Sequence, residues 1–212
     1  RKKFAQNWLI QASYAYSRTV GNFPGLYQSS NSQLDPNISS QFDIPELAAN
    51  RDGPLPNDRP HNAKMQLAYF IPMDEAGKDG LNLGLRVSVL SGAPIEVLGR
   101  HPLYGNSESF ILPRGSGGRL PMLTSVDLLA SYTFGNVELS ANIFNLLNTR
   151  TPTLVDEDLT TDRVMPIVNG TLADLKDLKN TTGLPIIRNP NYGNPVAYQA
   201  PLFVRLGVRV TF

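Results

Sequence analysis

"PLFVRLGVRVTF", Pro201 to Phe212, alternates without a break. Leu202, Val204, Leu206, Val208, Val210 and Phe212 are apolar, and Phe203, Arg205, Gly207, Arg209 and Thr211 lie between them. A period of two places successive side chains on opposite faces of a strand. Chain ends usually fray unless they are tied down. Here the pattern runs to a terminal aromatic, so the segment reads as a strand to be paired over its whole length.

The same alternation recurs in five segments upstream, roughly 7–18, 62–72, 81–91, 124–134 and 137–147. One face reads Trp8, Ile10, Ala12, Tyr14 and Tyr16, then Ala63, Met65, Leu67, Tyr69 and Ile71. It continues with Leu81, Leu83, Leu85, Val87 and Val89, with Val126, Leu128, Ala130, Tyr132 and Phe134, and with Val137, Leu139, Ala141 and Ile143. No charge falls on this face. Lys64, Arg86, Asp127, Glu138, Arg205 and Arg209 all fall on the other, beside Gln11, Ser13, Gln66, Ser88, Ser131 and Asn142. The 17 glycines and 17 prolines lie mostly between these segments, so they punctuate strands rather than mark low complexity.

One apolar face suits a soluble sandwich as well as a membrane wall. The connections separate the two. Short links, "MDEAGKDG" at 73–80 and Gly135-Asn136, alternate with long ones at roughly 19–61, 92–123 and 148–200. In an up-and-down sheet all the long loops then fall at one end, as in outer-membrane barrels. Long unstructured loops are uncommon in compact soluble domains. Tyr14 and Tyr16 toward the long-loop end, and Tyr69, Tyr132, Phe134 and Phe212 toward the short-turn end, sit where aromatic girdles belong. The expectation is an all-β, antiparallel, up-and-down transmembrane β-barrel segment of about six strands spanning 1–212.

Composition narrows the function classes. The net charge is +1 with scattered basic residues, which gives no footprint for nucleic acid. There is no cysteine, so thiolate metal sites and disulfides are excluded. No apolar run approaches the ~20 residues of a membrane helix, whereas barrel strands of about 9–11 residues escape hydropathy. The chain opens on Arg1 without an initiator Met or a signal peptide, and reads as a fragment or processed piece.

No nucleophile-base pair or metal constellation stands out, so neither an enzyme nor a cofactor is expected. His61 and His101, beside Pro60 and Pro102, read as structural or solvated. "SGAP" (Ser91–Pro94) and "RGSGGR" (Arg114–Arg119) open no helix and are not phosphate cradles. Asp35, Asp43, Asp52 and "DEDLTTD" (Asp156–Asp162) lack EF-hand spacing and read as solvated loop charge rather than a calcium site. "TLADLKDLKNTTG" (Thr171–Gly183) reads as a short loop helix packing through Leu172, Leu175 and Leu178. Asn37-Ile38-Ser39, Asn169-Gly170-Thr171 and Asn180-Thr181-Thr182 match the glycosylation pattern, which would be incidental if the protein is bacterial.

Several stretches carry a family resemblance. Leu206, Gly207, Val208, Val210 and Phe212 resemble the C-terminal signal read by the bacterial barrel-assembly machinery. "DRPHNAKMQLAYFIP" (Asp58–Pro72) and "SYAYSRTVGN" (Ser13–Asn22) resemble strands of the large, Oar-like TonB-dependent receptors that carry a carboxypeptidase-regulatory domain. "VELSANIFNLLNT" (Val137–Thr149) and "NPNYGNPVAYQAPLFVRLGVRVTF" (Asn189–Phe212) resemble the penultimate strand, final loop and closing strand of the wider receptor family.

The resemblance implies a 22-stranded barrel filled by an N-terminal plug, of which this chain would be the last six strands without the plug. It also implies active uptake or export of a scarce substrate across the bacterial outer membrane. The partners would be outer-membrane lipid, the barrel-assembly machinery, and a TonB-type energising protein reached through an N-terminal region. Lys64, Arg86, Asp127, Glu138, Arg205 and Arg209 would line the lumen or pair with one another across strands. Two other readings of the residues stay open: a passive porin or adhesin barrel, and a soluble all-β binding module.

Overall fold

The structure is a computed structural model describing residues 2–25, 27, 28, 33, 34, 42–75 and 77–212. Its main element is a seven-stranded sheet in which every neighbouring pair is antiparallel and the strands lie in chain order. The strands are β1 (Lys2–Ala5), β2 (Trp8–Tyr16), β3 (His61–Pro72), β4 (Gly80–Leu90), β5 (Leu123–Phe134), β6 (Val137–Phe144) and β7 (Phe203–Val210). Six coincide with the segments read from alternation, and β2, β6 and β7 are shorter than the segments 7–18, 137–147 and 201–212. β6 stops at Phe144 because Asn145 turns into the left-handed region at φ 50°. β7 spans 203–210, although Thr211 N–H still donates to Asn136 O at 2.9 Å.

β1 adds one strand to the six read from alternation. β1, sequence KKFA, has no apolar alternation, so periodicity passes over it. It returns into β2 through Gln6 and Asn7, with φ 55° and 65°, the two successive positive values that a tight primed hairpin turn needs. That turn adds another short link on the side of 73–79 and Gly135-Asn136. The long connections all emerge at the opposite end.

The register shows that the alternating residues share one face. Ile10, Leu67, Leu85, Leu128, Ile143 and Val204 form one row of cross-strand neighbours across β2 to β7. Trp8, Tyr69, Leu83, Ala130, Ala141 and Leu206 form the next. A slip of one residue at any pairing would have sent a strand's apolar set to the far side.

No described residue of these seven strands belongs to the buried hydrophobic core. That core lies in the loops: Val97, Ile111, Leu112, Leu159, Val164, Leu175 and Leu178 pack together, with Ile167, Ile186 and Tyr192 against them. It is framed by loop strands Leu98–His101, Gly105–Phe110 and Asp158–Arg163, which form a separate three-stranded sheet. The chain thus builds a compact body from its loops and leaves a broad sheet with a bare apolar face. Leu206 is 77% exposed and Val208 71%. Among the described residues no helix is long and apolar enough to cross a membrane.

Candidate functional site

The polar face of the sheet collects all six charged candidates, and the register sets their neighbours. Asp127 lies opposite Arg86, and Glu138 opposite Arg209. Lys64 faces Ser13 and Ser88. Arg205 lies opposite Asn142, and its guanidinium sits over the Phe144 ring at 5.5 Å. Cross-strand pairing of these charges goes no further than register, because none of the six forms a salt bridge among the described residues. Asp127 has other duties: its Oδ1 accepts from Ser125 Oγ at 2.8 Å and from Asn145 N–H at 3.0 Å. This face is not uniformly polar. Phe144 stacks on Phe203 at 4.5 Å between ring centroids, and Leu129 is exposed beside them. Gln66, Arg86, Asp127, Leu129, Asn142 and Phe144 line a recess of about 350 Å³.

The Asn-rich end of β6 acts as a knot. Asn145, 4% exposed, donates through Nδ2 to Thr149 O at 3.0 Å and Ala200 O at 2.8 Å. Its Oδ1 accepts from Thr149 N–H at 3.1 Å. Asn148 Oδ1 accepts from Leu202 N–H at 3.0 Å. Together they close the third loop (145–202) at its base and set β7 beside β6. Gly207, within β7, lies against Ser140: a Cβ there would meet Ser140 Oγ at 2.7 Å. Phe212 lies beyond the paired residues, fully exposed.

Beyond the sheet, the first loop (17–60), the second (91–122) and the third are joined by one asparagine. Asn50 Nδ2 donates to Phe110 O and Ile111 O, at 3.0 and 3.1 Å, and to Ile167 O at 2.9 Å. Asn50 Oδ1 accepts from Asn169 N–H at 3.0 Å. The adjacent Arg51, 2% exposed, pairs with Glu108 at 2.8 Å and lies over Phe110. Arg114 covers the same ring and pairs with Glu96 at 3.6 Å. Asp58, fully buried, pairs with Arg119 and accepts from Thr19 N–H at 2.7 Å. Burial alone would raise its carboxyl, but the Thr19 and Arg119 bonds hold it below the ordinary carboxylate range. These groups escaped the sequence reading. Their partners lie far off in the chain, from 18 residues for Arg114 and Glu96 to 119 for Asn50 and Asn169, and no local pattern connects them.

Two other loop expectations need correction. "DEDLTTD" is not solvated charge. Asp156 and Asp158 are partly buried and hydrogen-bonded, with Asp158 Oδ2 accepting from Ser107 Oγ at 2.9 Å. Burial pushes Glu157 up to about 7, and the nearby Glu96 carboxylate adds to the effect. Among the described residues no acidic or histidine cluster has the geometry to hold a metal ion. The short helix forms as a 3-10 turn over Leu172–Lys176, and it buries Leu175 and Leu178 but leaves Leu172 exposed.

Both histidines are structural. His61 Nδ1 is hydrogen-bonded to Tyr14 OH at 2.8 Å. His101, 2% exposed, accepts from Leu103 and Tyr104 N–H, and burial lowers its pKa. "SGAP" and "RGSGGR" lie against each other through a bridge between Pro94 and Arg119, without a helix. Asp35 and Asn37-Ile38-Ser39 lie outside the described residues.

No protein-family model matches the chain, and no solved structure does. Over its whole length it is 38% identical to the TonB-dependent transporter Oar of Myxococcus xanthus, in an alignment of 229 residues. The chain spans about a fifth, 21%, of that relative. The relationship is to a transporter and not to an enzyme, in keeping with the reading of the residues.

Proposed function

Since the chain is related along its whole length to a TonB-dependent transporter, we propose that it supplies wall strands and outer loops to an outer-membrane barrel that moves a scarce substrate. The supporting observation is the position of the core. The loops bury their own apolar residues, while the sheet leaves a face of Leu, Val, Ile and aromatic side chains uncovered. On a water-soluble monomer an apolar surface of this extent is an aggregation hazard. In a bilayer it is the surface that contacts lipid, and hydrogen-bonded strands in a closed sheet satisfy the backbone there.

In this reading the opposite face looks into the lumen. Lys64, Arg86, Asp127, Glu138, Arg205 and Arg209 then give the inner wall charges of both signs, and the recess beside Phe144 gives it an apolar foothold. The edge strand β7 carries free backbone groups for pairing. Leu206, Gly207, Val208, Val210 and Phe212 would be the residues that the barrel-assembly machinery reads. A TonB-type protein would act through a part of the molecule outside this chain. The loop body, tied together by Asn50 and buried ion pairs, would be a preformed outer surface for capturing the substrate.

Single cysteines in the full-length protein on intact cells test the orientation. A membrane-impermeant maleimide is expected to label Leu184→Cys, on the exposed third loop, and to miss Lys78→Cys, on the short turn, until the outer membrane is opened. Equal labelling at both positions would overturn the reading. Loss of transport when the proton-motive force is collapsed would then separate an energised transporter from a passive pore.

A further inference from the structure

The second and third loops meet around two carboxylates and one arginine. Glu157 Oε1 accepts from the backbone N–H of Glu96 at 3.0 Å, and Glu157 O accepts from Leu98 N–H at 2.9 Å. The Glu96 side chain, 3% exposed for the residue, accepts from Gly115 N–H at 2.6 Å through Oε2 and faces Arg114 Nη1 through Oε1 at 3.6 Å. Arg114 has other contacts as well: its Nε donates to Arg51 O at 2.7 Å, and its guanidinium lies over Phe110. The buried junction therefore offers one positive charge to two carboxyl groups. Ionising both leaves a net negative charge at a junction where Glu96 is buried and Glu157 half-buried, so water screens it poorly.

We propose that this junction is a proton-operated latch: Glu157 holds the second and third loops together when protonated and loosens them when it ionises beside Glu96. The surroundings favour the proton. On the third loop, Asp156 and Asp158 add negative charge beside Glu157, Tyr192 OH lies 3.5 Å from Glu96 O, and Arg188 is near the tyrosine. On the second loop, the Glu96 carboxylate opposes ionisation, while the Glu96 N–H bond to Glu157 and the Arg114 charge favour it; burial outweighs both. From the first loop, Arg51 and Asp52 reach the junction only through their fields on Arg114. The ionisation of Glu157 falls near neutral pH, so ordinary changes in the surroundings operate the latch.

The sign follows from linkage. A carboxyl whose folded pKa lies above its unfolded value stabilises the folded junction below the unfolded pKa, and that contribution is lost as pH rises through the folded one. For a rise from 4.5 to about 7, the opening equilibrium increases by between about tenfold and a few hundredfold from acid to alkaline conditions. The latch belongs to the loop body and holds whether or not the wall crosses a membrane.

Hydrogen exchange on the full-length protein at pH 5.5 to 9, corrected for intrinsic exchange, tests it at the Glu96 and Leu98 amides. Their protection is expected to fall by at least tenfold across this range. Glu157→Gln should abolish the dependence and keep the junction closed. Glu96→Gln removes the repelling carboxylate and leaves the Arg114 charge to Glu157, so it should move the transition to lower pH. Flat protection in the wild type, or an unchanged pH dependence in both variants, would overturn the latch.

Discussion

An arginine placed on the apolar face should cost most at the middle of the wall and least at its end. Leu128 is the sixth residue of the 12-residue strand β5 and lies between Leu85 and Ile143 in the central row. Phe134 ends the same strand on the same face, opposite Val137. The two positions are ~20 Å apart along the strand at a rise of ~3.3 Å per residue. At a tilt of ~40° this is ~15 Å of depth, more than half of an apolar band ~25 Å tall. With Leu128 near the midplane, Leu128→Arg is expected to cost about 2–4 kcal/mol, and Phe134→Arg, at the interface, about 0–1 kcal/mol. The assay is the denaturation midpoint of the full-length protein reconstituted in lipid vesicles. A water-facing sheet would lose no more than about 0.5 kcal/mol at either site. A protein-covered face would lose several kcal/mol wherever the charge was buried, with no relation to depth. Equal costs at the two positions would refute the reasoning.

Other perturbations follow from particular contacts. Asn145→Ala removes the side-chain bonds to Thr149 and Ala200 and leaves a non-glycine residue at φ 50°, so it should destabilise the β6–β7 junction by about 2–3 kcal/mol, read as lost exchange protection at Thr149 and Leu202. Asp58→Ala should cost about 2–4 kcal/mol, less than a fully buried pair because the Arg119 side chain is 34% exposed, and should free the first loop from the second in limited proteolysis. Asp58 has a depressed folded pKa, so its contribution is present above the unfolded value near 3.8 and disappears as pH falls through the folded one; the first loop should loosen only in strong acid. Leu112→Ala, at a position with no exposed area, should cost about 2–4 kcal/mol and loosen the loop body, with the wall amides keeping their protection.

The wall was legible because its information is local. Alternation at Leu81–Val89 or Val204–Val210 states both the strand and its face, and pairing in chain order needs only short turns. β1 was missed because Lys2 and Lys3 interrupt any apolar period, and its evidence is the Gln6-Asn7 turn instead. The loop body was not legible. Asn50, Arg51, Asp58, Glu96 and Glu157 look like ordinary loop polarity until partners distant in sequence bury them. The Asn-rich end of β6 was visible as a family resemblance, but its work, joining Thr149 and Ala200 through one amide, is a matter of geometry. Leu172 shows the limit of helical spacing: it opens the 3-10 turn and is exposed, although Leu175, which eclipses it one turn on, is buried.

Nitroxides at Leu85, Leu128 and Val208 of the full-length protein in lipid vesicles, with Gln66 and Ser131 on the opposite face for comparison, measure the face directly. The account predicts that oxygen dissolved in the bilayer relaxes the first three strongly while a water-soluble relaxant does not reach them. Labels at those three positions that were shielded from oxygen, or open to the aqueous relaxant, would contradict it.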